Sequence, residues 1–141
     1  MHKVSVTLNF EWKGEDPHQL FTLKEKLGEG AFASVYKGVH NTSGMVLAIK
    51  VLSEIEDPDE LKREIDILKQ CSHPNIISYF GTCEAKDNTF WILMDLAELG
   101  SARDLIDTCQ RTFQEHEIAW CMLNTLKGLD YLHRSHGSVT S

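Results

Sequence analysis

The residues best suited to chemistry lie between Leu27 and Glu64. Leu27-Gly28-Glu29-Gly30-Ala31-Phe32-Ala33-Ser34-Val35 sets two glycines around one residue. Without side chains at those points, backbone amides can approach a phosphate closely. A loop of this kind opens a dinucleotide-binding βαβ unit only where a helix follows directly, and Val35-Tyr36-Lys37-Gly38-Val39 has strand composition instead. The loop therefore joins two strands. Val46-Leu47-Ala48-Ile49-Lys50 then ends an apolar strand in a lysine, whose charge is costly to bury without an anionic partner. Glu64 is the partner the pattern offers, because it sits beside the helical stripe Leu61, Ile65, Leu68. The two meet if that helix packs across the sheet, as its stripe independently demands. Taken singly, a glycine turn, a snorkelling lysine and a solvated glutamate are the plainer readings; their order and spacing together point to phosphate handling.

Other combinations offer less. Cys71, Cys83, Cys109 and Cys121 never form a Cys-x-x-Cys pair and read as reduced, partly buried thiols. His133 and His136 are spaced to share a helix face, but no second ligand pair is near, so a solvated helix end is expected and no metal site.

The elements that must position these residues follow from periodicity. Val4, Val6, Leu8 and Phe10 alternate with polar residues as a half-buried strand does, giving residues 1–15 the character of a separate leader with one possible extra strand. Gly14-Glu15-Asp16-Pro17 breaks that pattern. Strands are expected at Phe21 to Leu27, Ser34 to His40 and Met45 to Leu52, with turns at Gly28-Glu29-Gly30 and Asn41-Thr42-Ser43-Gly44. Asp57-Pro58-Asp59-Glu60 carries a capping residue, a proline suited to the first helical position and a capping-box spacing, so a helix should run from there to about Gln70. His73-Pro74 ends it. Two more strands read as Ile76 to Cys83 and Thr89 to Met94. A short helix begins at Ser101, whose spacing to Asp104 again fits a capping box. The last helix starts near Thr112 and carries Ile118, Met122, Leu126, Leu129 and Leu132 on one stripe.

Composition bounds the rest. The chain has 141 residues, 42% hydrophobic and 25% charged, which is globular and excludes a disordered or collagen-like class. The longest apolar run, Ile118 to Leu123, is far short of the ~18 residues that span a bilayer, and the amino terminus lacks the apolar core of a secretory signal, so a cytoplasmic location without membrane binding is expected. A formal net charge of -7 with no basic run disfavours nucleic-acid binding.

The glycine loop, Val46-Leu47-Ala48-Ile49-Lys50, Glu64, His73-Pro74-Asn75-Ile76 and Trp91-Ile92-Leu93-Met94 together resemble the amino-terminal lobe of a eukaryotic protein kinase, over about Phe21 to His133. Asp16-Pro17-His18-Gln19-Leu20-Phe21, Gly100 to Ile106 and Thr125 to His133 look most like the sterile-20 and germinal-centre group of serine/threonine kinases. The resemblance implies an α+β fold: a five-stranded antiparallel sheet with one packed helix over residues 16–94, a hinge at 95–100, and the first helices of an incomplete carboxy-terminal lobe over 101–141. It further implies that Leu27, Gly28, Glu29, Gly30, Ala31, Phe32, Ala33, Ser34 and Val35 cover the ATP phosphates, that Lys50 contacts the α- and β-phosphates, and that Glu64 holds Lys50. Met94 would be the gatekeeper, the backbone of Asp95 and Ala97 would bond the adenine, Val35 and Ala48 would roof it, and Asp104 would lie near the ribose. Ala33 departs from the family's usual third glycine, which the loop tolerates where φ stays negative.

Family members place a His-Arg-Asp catalytic loop and an Asp-Phe-Gly magnesium motif beyond Tyr131-Leu132-His133; neither occurs in this sequence. The chain is therefore expected to bind ATP weakly in isolation, to lack its own magnesium ligands, and to be non-catalytic alone as a truncated kinase. A non-catalytic regulatory module is the alternative, and a poorly folding lobe a third reading. The apolar stripe of the last helix is the expected surface for a protein partner or self-association.

Overall fold

The computed structural model describes residues 15–135. The Val4 to Phe10 strand expected in the leader, His136 and the tail after it lie outside those residues. By packing, the chain divides into two units: one formed by the chain up to Lys69 together with Tyr79–Leu96, the other by Gln70–Ser78 and the chain from Ala97 onward.

The first unit is built on a five-stranded sheet, β1 (Phe21–Glu29), β2 (Ala33–His40), β3 (Val46–Leu52), β4 (Tyr79–Glu84) and β5 (Phe90–Met94), in the order β1-β2-β3-β5-β4 with every pairing antiparallel. Alternation along a strand sends successive side chains to opposite faces. On one face Leu47, Ile49, Trp91 and Leu93 are all 1% exposed or less, and with Phe21, Cys83 and Ala85 they form the core. Burying such large apolar side chains contributes about 1.5–3 kcal/mol each. The other face carries Ala48, Lys50 and Leu52 from β3, with Ile92 and Met94 from β5.

Two helices belong to this unit. Helix α1 (Pro17–Leu20) is a single turn that the sequence reading passed over, although its Asp16-Pro17 start repeats the Asp57-Pro58 signal recognised later in the chain. Asp16 accepts a bond from the His18 amide, and the His18 ring stands edge-on to Trp91 at 4.8 Å while its Nε2 lies 3.2 Å from Asp87 Oδ2. The turn thereby closes over one end of the core. Helix α2 (Pro58–Gln70) has the expected bounds; Asp57 Oδ1 accepts from the amides of Asp59 and Glu60 at 2.9 and 3.0 Å. Of its stripe, Ile65 is buried and Leu61 and Leu68 are half-buried.

In the second unit, α3 (Ala102–Cys109) begins with a complete capping box between Ser101 and Asp104. Helix α4 (Glu115–Ser135) is started by Glu117, which accepts a bidentate bond from Arg111 at 2.7 and 2.8 Å and a bond from the Gln114 amide at 2.8 Å. These three bonds hold the Glu117 carboxyl down to about 2, the Arg111 bond acting most strongly. The segment Gln70–Ser78 docks on α4: Tyr131 Oη donates to the Gln70 carbonyl and accepts from the Ser72 amide, and Asn75 donates to Asn124 Oδ1 at 3.0 Å. Gly128 is buried because Asn75 passes so close that a Cβ would lie 3.1 Å from its carbonyl oxygen.

That docking corrects one expectation. Ile76 to Ser78, read as the start of a strand, lie outside it: Ile76 ends a turn centred on Pro74 and Asn75, closed by the Ile76 amide on the His73 carbonyl, and β4 starts at Tyr79. Three residues carry no local mark that separates the edge of a strand from the irregular segment leading into it. At the other strand ends the structure differs by small margins: β1 runs on through Gly28 and Glu29, and β2 begins at Ala33.

Candidate functional site

Register across the sheet gathers the residues singled out in the sequence. Gly28 pairs with Val35, Val35 with Lys50, Lys50 with Ile92 and Ile92 with Thr82, forming one transverse row through all five strands. Directly opposed residues in antiparallel pairs share a face, so Gly28, Val35 and Lys50 lie on the same side at successive strand spacings of about 4.8 Å. Two residues along, Ala48 pairs with Met94 on that side. Ala48 and Ile92 are buried, Val35, Lys50 and Met94 half-buried.

The loop between β1 and β2 closes tightly. The Gly30 amide donates to the Ala33 carbonyl at 2.7 Å, so that N–H is engaged within the loop; the Ser53 amide and hydroxyl both donate to the Phe32 carbonyl, at 3.1 and 3.2 Å. Ser53, just after β3, is a support that the sequence reading did not single out. Its only local signal is a hydroxyl directly after an apolar run. On the β1 arm, Lys26 Nζ donates to Glu29 Oε1 at 2.9 Å and stands 5.7 Å from the Tyr36 ring centroid.

No residue from Leu27 to Val35 has a positive φ, so alanine at position 33 sits without left-handed strain. Nor does the backbone itself require glycine at 28 or 30. A Cβ on Gly28 would meet nothing within 4 Å, and one on Gly30 would make an ordinary 3.5 Å contact with the Ala33 carbonyl. The space over Gly28 is open.

Lys50 and Glu64 are both described, and they form neither an ion pair nor a hydrogen bond with each other in this structure. Glu64 is exposed. It lines an open cleft of about 200 Å³ that also takes in Phe32, Leu52 and Leu61. The α2 stripe is fully buried only at Ile65, one residue beyond Glu64, which leaves the carboxylate on the open side of the helix.

Asp95 continues from β5 as the first residue of the connector and is half-buried. In the second unit Ala97 is exposed and accepts a bond from the Gly100 amide at 2.9 Å. Asp104 Oδ2 accepts from both the amide and the hydroxyl of Ser101 at 2.7 Å, and these bonds lower its carboxyl below the usual carboxylate range. That oxygen is thus engaged in capping α3. It also explains Gly100, whose φ of +70° and 2.6 Å Cβ approach to Asp104 Oδ2 both exclude a side chain. On α4, Ile118, Met122, Leu126 and Leu129 are 50%, 57%, 56% and 44% exposed, and Leu132 is half-buried. Among the described residues no helix is long and apolar enough to cross a membrane, and no three His, Cys, Asp or Glu side chains converge as metal ligands.

Comparison with known proteins bears on this geometry. Residues 21–139 match the family model of the protein kinase domain. The chain is 47% identical over 134 residues to serine/threonine-protein kinase pakF of Dictyostelium discoideum, an alignment covering 94% of this chain and 11% of that protein. It is 42% identical over 137 residues to pakE and over 135 residues to pakH of the same organism, both serine/threonine-protein kinases, covering 14% and 26% of them. The chain therefore spans about a quarter or less of the length of these relatives.

Proposed function

Because the chain belongs to the protein kinase family, whose members use ATP and magnesium, we propose that the face carrying Gly28, Val35 and Lys50 receives the phosphates of ATP. The observation that carries this reading is the transverse row itself. It aligns a glycine at the end of β1 with no steric need of its own, an apolar side chain and a strand lysine on one side of the sheet. In this reading Lys50 donates to phosphate oxygens, Ala48 and Val35 cover the base, Met94 borders it, and the backbone of Asp95 bonds its edge. ATP supplies the phosphoryl group, and magnesium neutralises charge on the phosphates. Glu64 supports Lys50 when α2 advances far enough for the two to pair. In the protein to which this lobe belongs, the reaction served is transfer of the terminal phosphoryl group of ATP to a serine or threonine hydroxyl of a protein.

The test is titration calorimetry with ATP on the chain and on Lys50→Met, with circular dichroism to confirm the fold. Binding lost in Lys50→Met supports the reading. Equal binding by both proteins, or none by either, overturns it. A second role, a regulatory module acting through protein contact, is favoured by the exposed apolar stripe of α4, which takes a protein partner or a second copy of the chain.

A further inference from the structure

The cleft beside Glu64 shares Phe32 and Glu64 with the nucleotide reading, but its other lining residues, Leu52, Glu54, Ile55, Glu56, Asp57, Glu60 and Leu61, have no part in it. Its apolar walls are Phe32, Leu52, Ile55 and Leu61; Phe32 and Ile55 remain 45% and 37% exposed, a large apolar surface to leave in water. At about 200 Å³ it is smaller than the ~300–1,000 Å³ of a small-molecule pocket, and suits one bulky side chain. Glu54, Glu56, Glu60 and Glu64 surround it, and among the described residues none of these four carboxylates has an ion-pair or hydrogen-bond partner. Asp57, also at the rim, is engaged in capping α2. The carboxylates do not converge as a metal-ligand group, so they act as a ring of separate charges around an apolar floor.

We propose that this cleft docks a basic peptide segment of another protein, with one bulky apolar side chain seated between Ile55 and Leu61 and flanking lysine or arginine residues facing Glu56 and Glu60. An apolar anchor in a pocket supplies most of the affinity of such contacts, and rim charges supply on-rate and selection against acidic partners. The chain's net charge of -7 adds to the attraction. This inference stands on the cleft alone and does not rest on the nucleotide reading.

Fluorescence anisotropy on the full chain tests it, using a short dye-labelled peptide with a central phenylalanine between arginines and lysines. The comparison peptide has alanine at the centre. Glu56→Lys with Glu60→Lys should weaken binding about tenfold, a loss of about 1.4 kcal/mol. Ile55→Ser and the alanine peptide should each weaken it several-fold, while Glu84→Lys with Glu115→Lys, the same charge change elsewhere, should leave it within about twofold. With the unmodified chain, amide shifts on adding peptide should centre on Ile55 and Leu61, a readout that needs no variant to fold. Equal weakening by the two lysine pairs would mean general charge attraction and would overturn the proposal. So would indifference to the central phenylalanine, shifts centred elsewhere, or a cleft filled by another segment of the same protein that excludes the peptide.

Discussion

Two glycine-to-alanine substitutions should separate a glycine needed for packing from one kept free for a ligand. At Gly38 in β2, an added Cβ would stand 2.3 Å from Ile49 Cδ1 and 2.8 Å from Cγ1. Ordinary carbon contacts lie at about 3.5–4.0 Å, so the Ile49 end must retreat by more than about 1 Å. It has no space to do so, being 0% exposed in the core. Overpacking of this kind costs about 1–3 kcal/mol, against which the reduced freedom of the unfolded chain returns about 0.4–1 kcal/mol. Gly38→Ala is therefore expected to lose about 1–2 kcal/mol, a sizeable part of the ~5–15 kcal/mol stability of a domain. Ile49→Val, which removes Cδ1, should recover part of that loss, a positive coupling of at least about 0.5 kcal/mol. At Gly28 the same methyl group meets nothing and the φ is ordinary, so Gly28→Ala should leave stability unchanged or raise it by up to about 1 kcal/mol while weakening ATP binding. Urea unfolding followed by circular dichroism, with calorimetric ATP titration, measures both halves. Equal stability losses at the two positions, or a Gly38→Ala protein as stable as its parent, would refute the packing argument.

Three further outcomes follow from named contacts. The Glu117 carboxyl, held down to about 2 chiefly by its bond from Arg111, ionises more readily folded than unfolded. Its contribution is thus complete above its ordinary value of 4.5 and lost as pH falls toward 2, and carbon-detected NMR should find its midpoint near 2, moving up in Arg111→Ala. Cys83 is buried, with its thiol pushed up to about 11 by desolvation, so at pH 8 iodoacetamide should alkylate exposed Cys109 well before Cys83, as peptide mass spectrometry would show; equal rates would contradict the core assignment. Leu126→Glu with Leu129→Glu, both at exposed positions, should leave the melting temperature nearly unchanged and shift sedimentation toward monomer, whereas a parent chain that is already monomeric at high concentration would remove the role assigned to the α4 stripe.

Signals that act within one turn or one strand were legible in the sequence. Asp57-Pro58 and Ser101 with Asp104 start α2 and α3 where expected, because a cap satisfies amides only two or three residues away. The apolar run of Met45 to Leu52 announced a strand, and the glycines after Leu27 marked the turn between two strands. Register is different in kind. Nothing local says that Gly28, Val35, Lys50 and Ile92 share a row, since that alignment depends on how four strands from distant parts of the chain pair, with irregularities in β1 between Leu23 and Gly28. The turn at Ile76 likewise became visible only against α4, through Asn75, Asn124 and Gly128. Residue type offered Lys50 and Glu64 as a pair, and in this structure they do not meet, because that depends on where α2 lies over the sheet. Helix placement is set by the packing of Ile65 and its neighbours over the sheet. Residue type and spacing fix which groups are available, whereas distance between them is a property of tertiary packing, which no stretch of sequence carries by itself.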